Sequence, residues 1–197
     1  MTTNRLLSPA YAGSWESRDV NPGRVREPWN RRANLATRAT GDSETTERKP
    51  MAHSYTNLLY HIVYATVERQ SLIDEGLQPR LYEYIGGTIR GLKGVCLEIG
   101  GIEDHVHILA KLHPTISVSA FLEKLKANSS KWAKSVKRGF GWQAGYAAFT
   151  VSESQFDRVR RYIQNQREHH RRTSFREEFI ALLEAHGLPY DPDHLWV

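Results

Sequence analysis

The residues with the clearest chemical potential are His105-Val106-His107. In a strand, side chains two apart leave the same face, so both imidazoles can reach one metal ion while Val106 points the other way. Neutral imidazoles suit Mn, Zn, Ni and similar ions, and a Mg site can use them alongside oxygen ligands and water. The plain alternative is two half-buried histidines on an open sheet face. Asp104, directly before the pair, can hold a ring N–H or can simply belong to a turn. A second group is Tyr162 and Gln166, four residues apart and so on one side of a helix. Read alone, Tyr162 fits a core position with its hydroxyl at the surface, and Gln166 a solvated helix former. Arg158, Arg160, Arg161, Arg167, Arg171, Arg172 and Arg176 crowd around them, with His169 and His170. That much positive charge repels itself unless an anion shares it; the alternative is a solvated cationic face. A third group is Lys124, Lys126, Lys131, Lys134, Lys137 and Arg138, interleaved with Asn128, Ser129, Ser130 and Trp132. Such a set can line a phosphate path, although soluble helices commonly carry lysines. Trp142 and Tyr146, with Gly145 between them, can stack on unpaired bases or plug a core edge.

These groups need elements to hold them. Residues 55–66 (YTNLLYHIVYAT) are dense in β-branched and aromatic side chains and predict a strand. Over 74–92, Leu77, Leu81, Tyr84, Ile85, Ile89 and Leu92 recur at helical spacing, and Gly94 ends the run. A short strand over 95–100 and a turn at Gly100-Gly101 lead into the returning strand over 105–112. Pro114 breaks that strand, and a helix over 117–136 follows, with Phe121, Leu122 and Leu125 on one side. A fourth strand is expected over 146–151. A third helix is expected over 152–169, with Ser152 as N-cap and Gln155 at capping-box distance. A last helix over 175–186 closes at Gly187. Strand, helix, strand, strand, helix, strand is the ferredoxin-like, split βαβ order. The expected fold is therefore α+β: an antiparallel sheet with helices on one face, plus C-terminal helices.

Composition bounds the function. The chain has 197 residues, 27 Lys and Arg against 22 Asp and Glu, and a pI near 9.4. That basicity permits an anionic partner without establishing one. A single cysteine, Cys96, excludes an internal disulfide framework and a four-thiolate zinc site. No apolar run is long enough for a transmembrane helix, and the N-terminus lacks a signal-peptide pattern, so a cytoplasmic protein with no membrane partner is expected. Residues 1–50 carry nine Lys and Arg against six Asp and Glu and show no sustained apolar period. They read as a disordered basic extension; translation starting at Met51 and an arm that orders on nucleic acid are the alternatives.

Taken in order, Gly100 to His107, Trp142-Gln143-Ala144-Gly145-Tyr146, and Tyr162 to Gln166 with His169-His170 resemble the HUH single-tyrosine transposases. These are the single-strand DNA transposases of small bacterial insertion sequences and their domesticated relatives linked to repetitive extragenic palindromes. Phe175 to Glu178 and His194-Leu195-Trp196 look most like the palindrome-associated branch. The resemblance covers residues 53–197, so 51–197 is expected to be the HUH transposase domain. It implies that Tyr162 is a nucleophile forming a 5′-phosphotyrosine, and that His105, His107 and Gln166 hold a divalent metal, Mg or Mn. It implies a hairpin-bearing single-stranded DNA substrate, a homodimer whose tyrosine helix can complete the partner's site with 152–154 as hinge, and a nucleoid-associated bacterial location. Lys126, Lys131, Lys134, Trp142, Arg158, Arg161, Arg167 and Arg172 are the expected DNA contacts, with Asp104 supporting a histidine ligand. A noncatalytic single-strand binder on the same frame is the other reading. Such sheets stack bases on aromatics, and histidines stand here instead.

Overall fold

In the computed structural model the described residues are 55–192 and Leu195; the expected extension over 1–50, together with His194 and Trp196, lies outside them. The apolar run LYHIVYA forms β1 (Leu59–Ala65), buried along almost its whole length on both faces, as a central strand must be. It pairs antiparallel with β3 (His105–Lys111) on one side and β4 (Ala147–Thr150) on the other. β2 (Val95–Ile102) joins the far side of β3, giving the order β2-β3-β1-β4. Two helices, α1 (Gln78–Gly91) and α2 (Val118–Val136), make the crossovers. The fold is α+β and ferredoxin-like, as expected.

The two faces carry different cores. Ile62, Tyr64, Val106 and Ile108 point to one face and pack against Leu81, Ile85, Phe121 and Leu122 of α1 and α2. Each fully buried aliphatic side chain there contributes roughly 1.5–3 kcal/mol. The alternate residues Val63, Ala65, Leu109 and the histidines His61, His105 and His107 point to the other face. That face is covered too. α3 (Phe156–Gln164) lays Val159, Tyr162 and Ile163 against Leu109, and α5 (Phe175–Ala185) lays Phe175, Leu182 and Leu183 against Val63 and Phe149. The histidines therefore lie between layers, not on an open surface.

The expected helix over 152–169 is corrected. It divides into a 3-10 turn (Glu153–Gln155), α3 and the single-turn α4 (Gln166–His169). The break falls at Asn165, whose φ of −95° and ψ of 16° leave the helical well; asparagine tolerates this because its amide competes for backbone hydrogen bonds. Ser152 makes no side-chain cap, its hydroxyl meeting that of Ser154 instead. The capping box sits at α5, where Ser174 and Glu177 satisfy each other's backbone N–H groups. α1 begins later than expected because the Asp74 carboxylate accepts the Leu77 N–H at 2.9 Å and closes a preceding turn.

One contact fixes α3 on the sheet. Gly100, paired with His107, lies against the α3 backbone, and a Cβ there would collide with the Ile163 carbonyl oxygen. Only glycine permits so close an approach.

Candidate active site

β3 presents His105 and His107, both fully buried, to the layer beneath α3, α4 and α5. Nδ1 of each ring is engaged by a neighbour, and Nε2 of His105 also lies 3.1 Å from Nε2 of His170. Nδ1 of His105 donates to Asp104 Oδ1 at 2.7 Å, and Asp104 Oδ2 accepts from Arg69 at 2.9 Å. Nδ1 of His107 lies 2.9 Å from Nε2 of His61, the diagonal neighbour on β1. Burial holds the His61 imidazole well below its ordinary pKa, and hence neutral. Burial also pushes His105 down to about 4, against an opposing pull from Asp104. The Asp104 carboxylate thus orients His105, and the Nε2 atoms of His105 and His107 face the same side.

What they face is Glu178 of α5, itself 2% exposed. Its Oε2 lies 3.3 Å from His107 Nε2, 3.7 Å from His105 Nε2 and 3.1 Å from His170 Nε2. Its Oε1 accepts the Tyr162 hydroxyl hydrogen and the Gln166 side-chain N–H at 2.9 Å, with His169 Nε2 at 3.5 Å. Burial alone would raise the Glu178 pKa, but the imidazoles, His107 foremost, hold it well below the usual carboxylate range. Burial lowers the His170 pKa, and its contact with Glu178 more than offsets this, leaving it raised.

The donor set fits a divalent cation. His105, His107, His170 and Glu178 offer ligand atoms that all lie within 4.8 Å of one another. His107 Nε2, Gln166 Oε1 and Glu178 Oε2 are buried without a hydrogen-bond partner. Buried polar atoms are nearly always satisfied, and one cation among these would satisfy several at once.

The structure brings together His105, His107, Tyr162, Gln166 and Asp104, all named from sequence. The expected DNA contacts scatter. Lys126 donates from Nζ to the Gln143, Ala144 and Gly145 carbonyls at 2.5, 2.8 and 2.8 Å, and burial lowers its pKa to about 8. Trp142 is half-buried, edge-on to Tyr64 and Phe140, with its N–H on Ser129. Arg167 reaches Gln78 and Glu75. Lys131 and Lys134 are exposed on α2, across the sheet from the histidines, while Arg161 and Arg172 are exposed and Arg158 half-buried around α3 and α4. Sequence reasoning gave no role to Glu178, His61 or Arg69. Glu178 sits beside Glu177 in a run that reads as a solvated helix start. His61 carried one usable signal: it shares β1 phase with the buried Val63 and Ala65.

Comparison with known proteins fits this geometry. The family model described as "Transposase IS200 like" matches residues 54–166, more than half of the chain. That span holds His105, His107, Tyr162 and Gln166 and stops before His170 and Glu178. The transposases of insertion sequence IS200 from Salmonella typhimurium and Salmonella typhi are each 32% identical over 136 residues, covering 62% of this chain and 85% of theirs. Among solved structures, a transposase of Deinococcus radiodurans is 23% identical with a TM-score of 0.49, covering 60% of this chain and 97% of that one. A REP-associated tyrosine transposase bound to a REP hairpin is 13% identical with a TM-score of 0.48, covering 62% and 74%. No helix among the described residues is long and apolar enough to cross a membrane. The chain belongs to the IS200-like family of single-tyrosine HUH transposases.

Proposed function

We propose that this transposase cleaves and rejoins single-stranded DNA at hairpin-flanked sites through a 5′-phosphotyrosine on Tyr162. In this reading His105, His107 and Gln166 hold a divalent cation, Mn or Mg, with Glu178 and His170 completing the set. The observation that carries the reading is the convergence of the Tyr162 phenol and the histidine Nε2 atoms on one buried carboxylate.

A phenol with a pKa near 10 is a weak nucleophile at neutral pH. Glu178 Oε1 already accepts the Tyr162 hydroxyl hydrogen and so aims Oη, whose proton passes to water as Oη bonds to phosphorus. The bond from phosphorus to the 3′ oxygen breaks, and that end leaves as a hydroxyl after gaining a proton. The 5′ phosphate stays on Tyr162, so the bond energy is kept and rejoining needs no ATP. A cation held by these residues would polarise the phosphoryl oxygen and offset charge in the transition state. Asp104 and His61 hold both ligand rings in orientation, and a set with three imidazoles suits Mn better than Mg. Tyr162 packs edge-on against His107 of its own chain at 5.9 Å between ring centres, which supports cleavage by the chain's own tyrosine even in a dimer.

Incubation with hairpin-bearing single-stranded DNA and Mn tests the reading. A covalent adduct that vanishes in Tyr162→Phe is expected; tight binding with no adduct would favour the noncatalytic binder.

A further inference from the structure

A cleft of about 440 Å³ opens beside the ligand cluster, between the edge strand β4, α5 and residues 188–191. Tyr146, Phe175, Phe179 and Tyr190 give it aromatic walls, and Arg69 and Gln143 add polar atoms. Its size is that of a small-ligand site, and its mix of apolar walls with a few polar groups is what such sites use.

Two observations tie the cleft to the chemistry, and a third describes its outer wall. Phe175, a wall of the cleft, stacks on the metal-facing His105 with ring centres 4.3 Å apart. Arg69, another lining residue, lies 4.9 Å over the Phe175 ring while its guanidinium binds Asp104, the orienting partner of His105. Glu68 and Arg69 adopt φ of 51° and 54°, a left-handed conformation that is unfavourable for non-glycine residues and that delivers Arg69 to this position. The third observation concerns Tyr146, which is 43% exposed although large and aromatic. The loop leading to it is held by the Lys126 ammonium, which gathers the carbonyls of Gln143, Ala144 and Gly145. The backbone leading to Tyr146 is thus held by contacts within the chain, which lowers the ordering cost of binding.

We propose that this cleft receives one unstacked base of the DNA strand whose phosphate lies at Tyr162, a proposal that rests on the strand-cleavage reading above. A nucleobase offers two π faces to aromatic walls such as Tyr146 and Tyr190. The shared Phe175 makes the captured base a near neighbour of the cleaved phosphate. The cleft therefore sets the register of the strand at the centre.

Fluorescence anisotropy tests this with a labelled hairpin-bearing single-stranded oligonucleotide and a series with one abasic site moved across the nucleotides flanking the cleavage point. In the wild type, one abasic position weakens binding by about tenfold. In Tyr146→Ala that position costs nothing further, and Tyr146→Phe, which keeps the ring, restores the penalty. An abasic penalty that persists in full in Tyr146→Ala at every position would overturn the proposal. Adduct formation by the wild type, scored in the same samples, separates the two claims. Adduct without coupling removes the cleft alone, and coupling without adduct removes the cleavage reading while upholding the cleft.

Discussion

At the scale of single residues, the centre depends on which ring nitrogen each histidine leaves available. Asp104 fixes this for His105, and His61 holds the Nδ1 side of His107. Asp104→Asn keeps the shape but loses the charge that accepts the His105 proton. Its Mn affinity, read by calorimetry, is expected to fall about 10–100-fold, and an unchanged affinity would detach Asp104 from the metal set. The shared facing of the histidine pair was legible from strand alternation, whereas Tyr162 and Gln166, read alone as a core tyrosine and a solvated helix former, took their roles from the family resemblance. Glu178 was not legible. Nothing local distinguishes it from Glu177, and only the docking of α5 decides that one carboxylate caps a helix while the next is buried among four imidazoles.

At the scale of elements, the tyrosine is placed by how closely α3 can approach β2. Gly100→Ala puts a methyl group into the Ile163 carbonyl and must lift α3. The expected cost is about 1–3 kcal/mol in urea unfolding, with a slower rate of adduct formation. An unaltered rate would show that Gly100 serves packing only. α5 carries Glu178, so its cap also bears on the site. Ser174→Ala is expected to cost about 1 kcal/mol and to speed amide exchange along α5, whereas Ser152→Ala, which removes no cap, leaves both nearly unchanged. The order of strands and helices was readable from alternation and turn residues. The division of the third helix and the covering of the second sheet face were not, since FDRVRRYIQ offers only a short apolar stripe whose partner lies on distant strands.

At the scale of the whole molecule, the basic residues fall on two sides of the sheet, with Lys131 and Lys134 on α2 and Arg161 and Arg172 near the tyrosine. A strand touching both groups must pass around a sheet edge. The family resemblance allows the tyrosine helix to serve a partner, yet here α3 is seated on its own sheet through Gly100. Mixing Tyr162→Phe with His107→Ala protein is therefore expected to restore no cleavage, and recovered cleavage would show that protomers exchange the helix. The central claim is that Tyr162 and the His105–His107–Glu178 cluster form one reaction centre. The most direct measurement is mass spectrometry of the protein after incubation with hairpin-bearing single-stranded DNA and Mn. The account predicts a 5′-phosphodeoxynucleotide on the Tyr162 peptide, lost in Tyr162→Phe and in His107→Ala. An adduct on another residue, or one that survives His107→Ala at full yield, would contradict it.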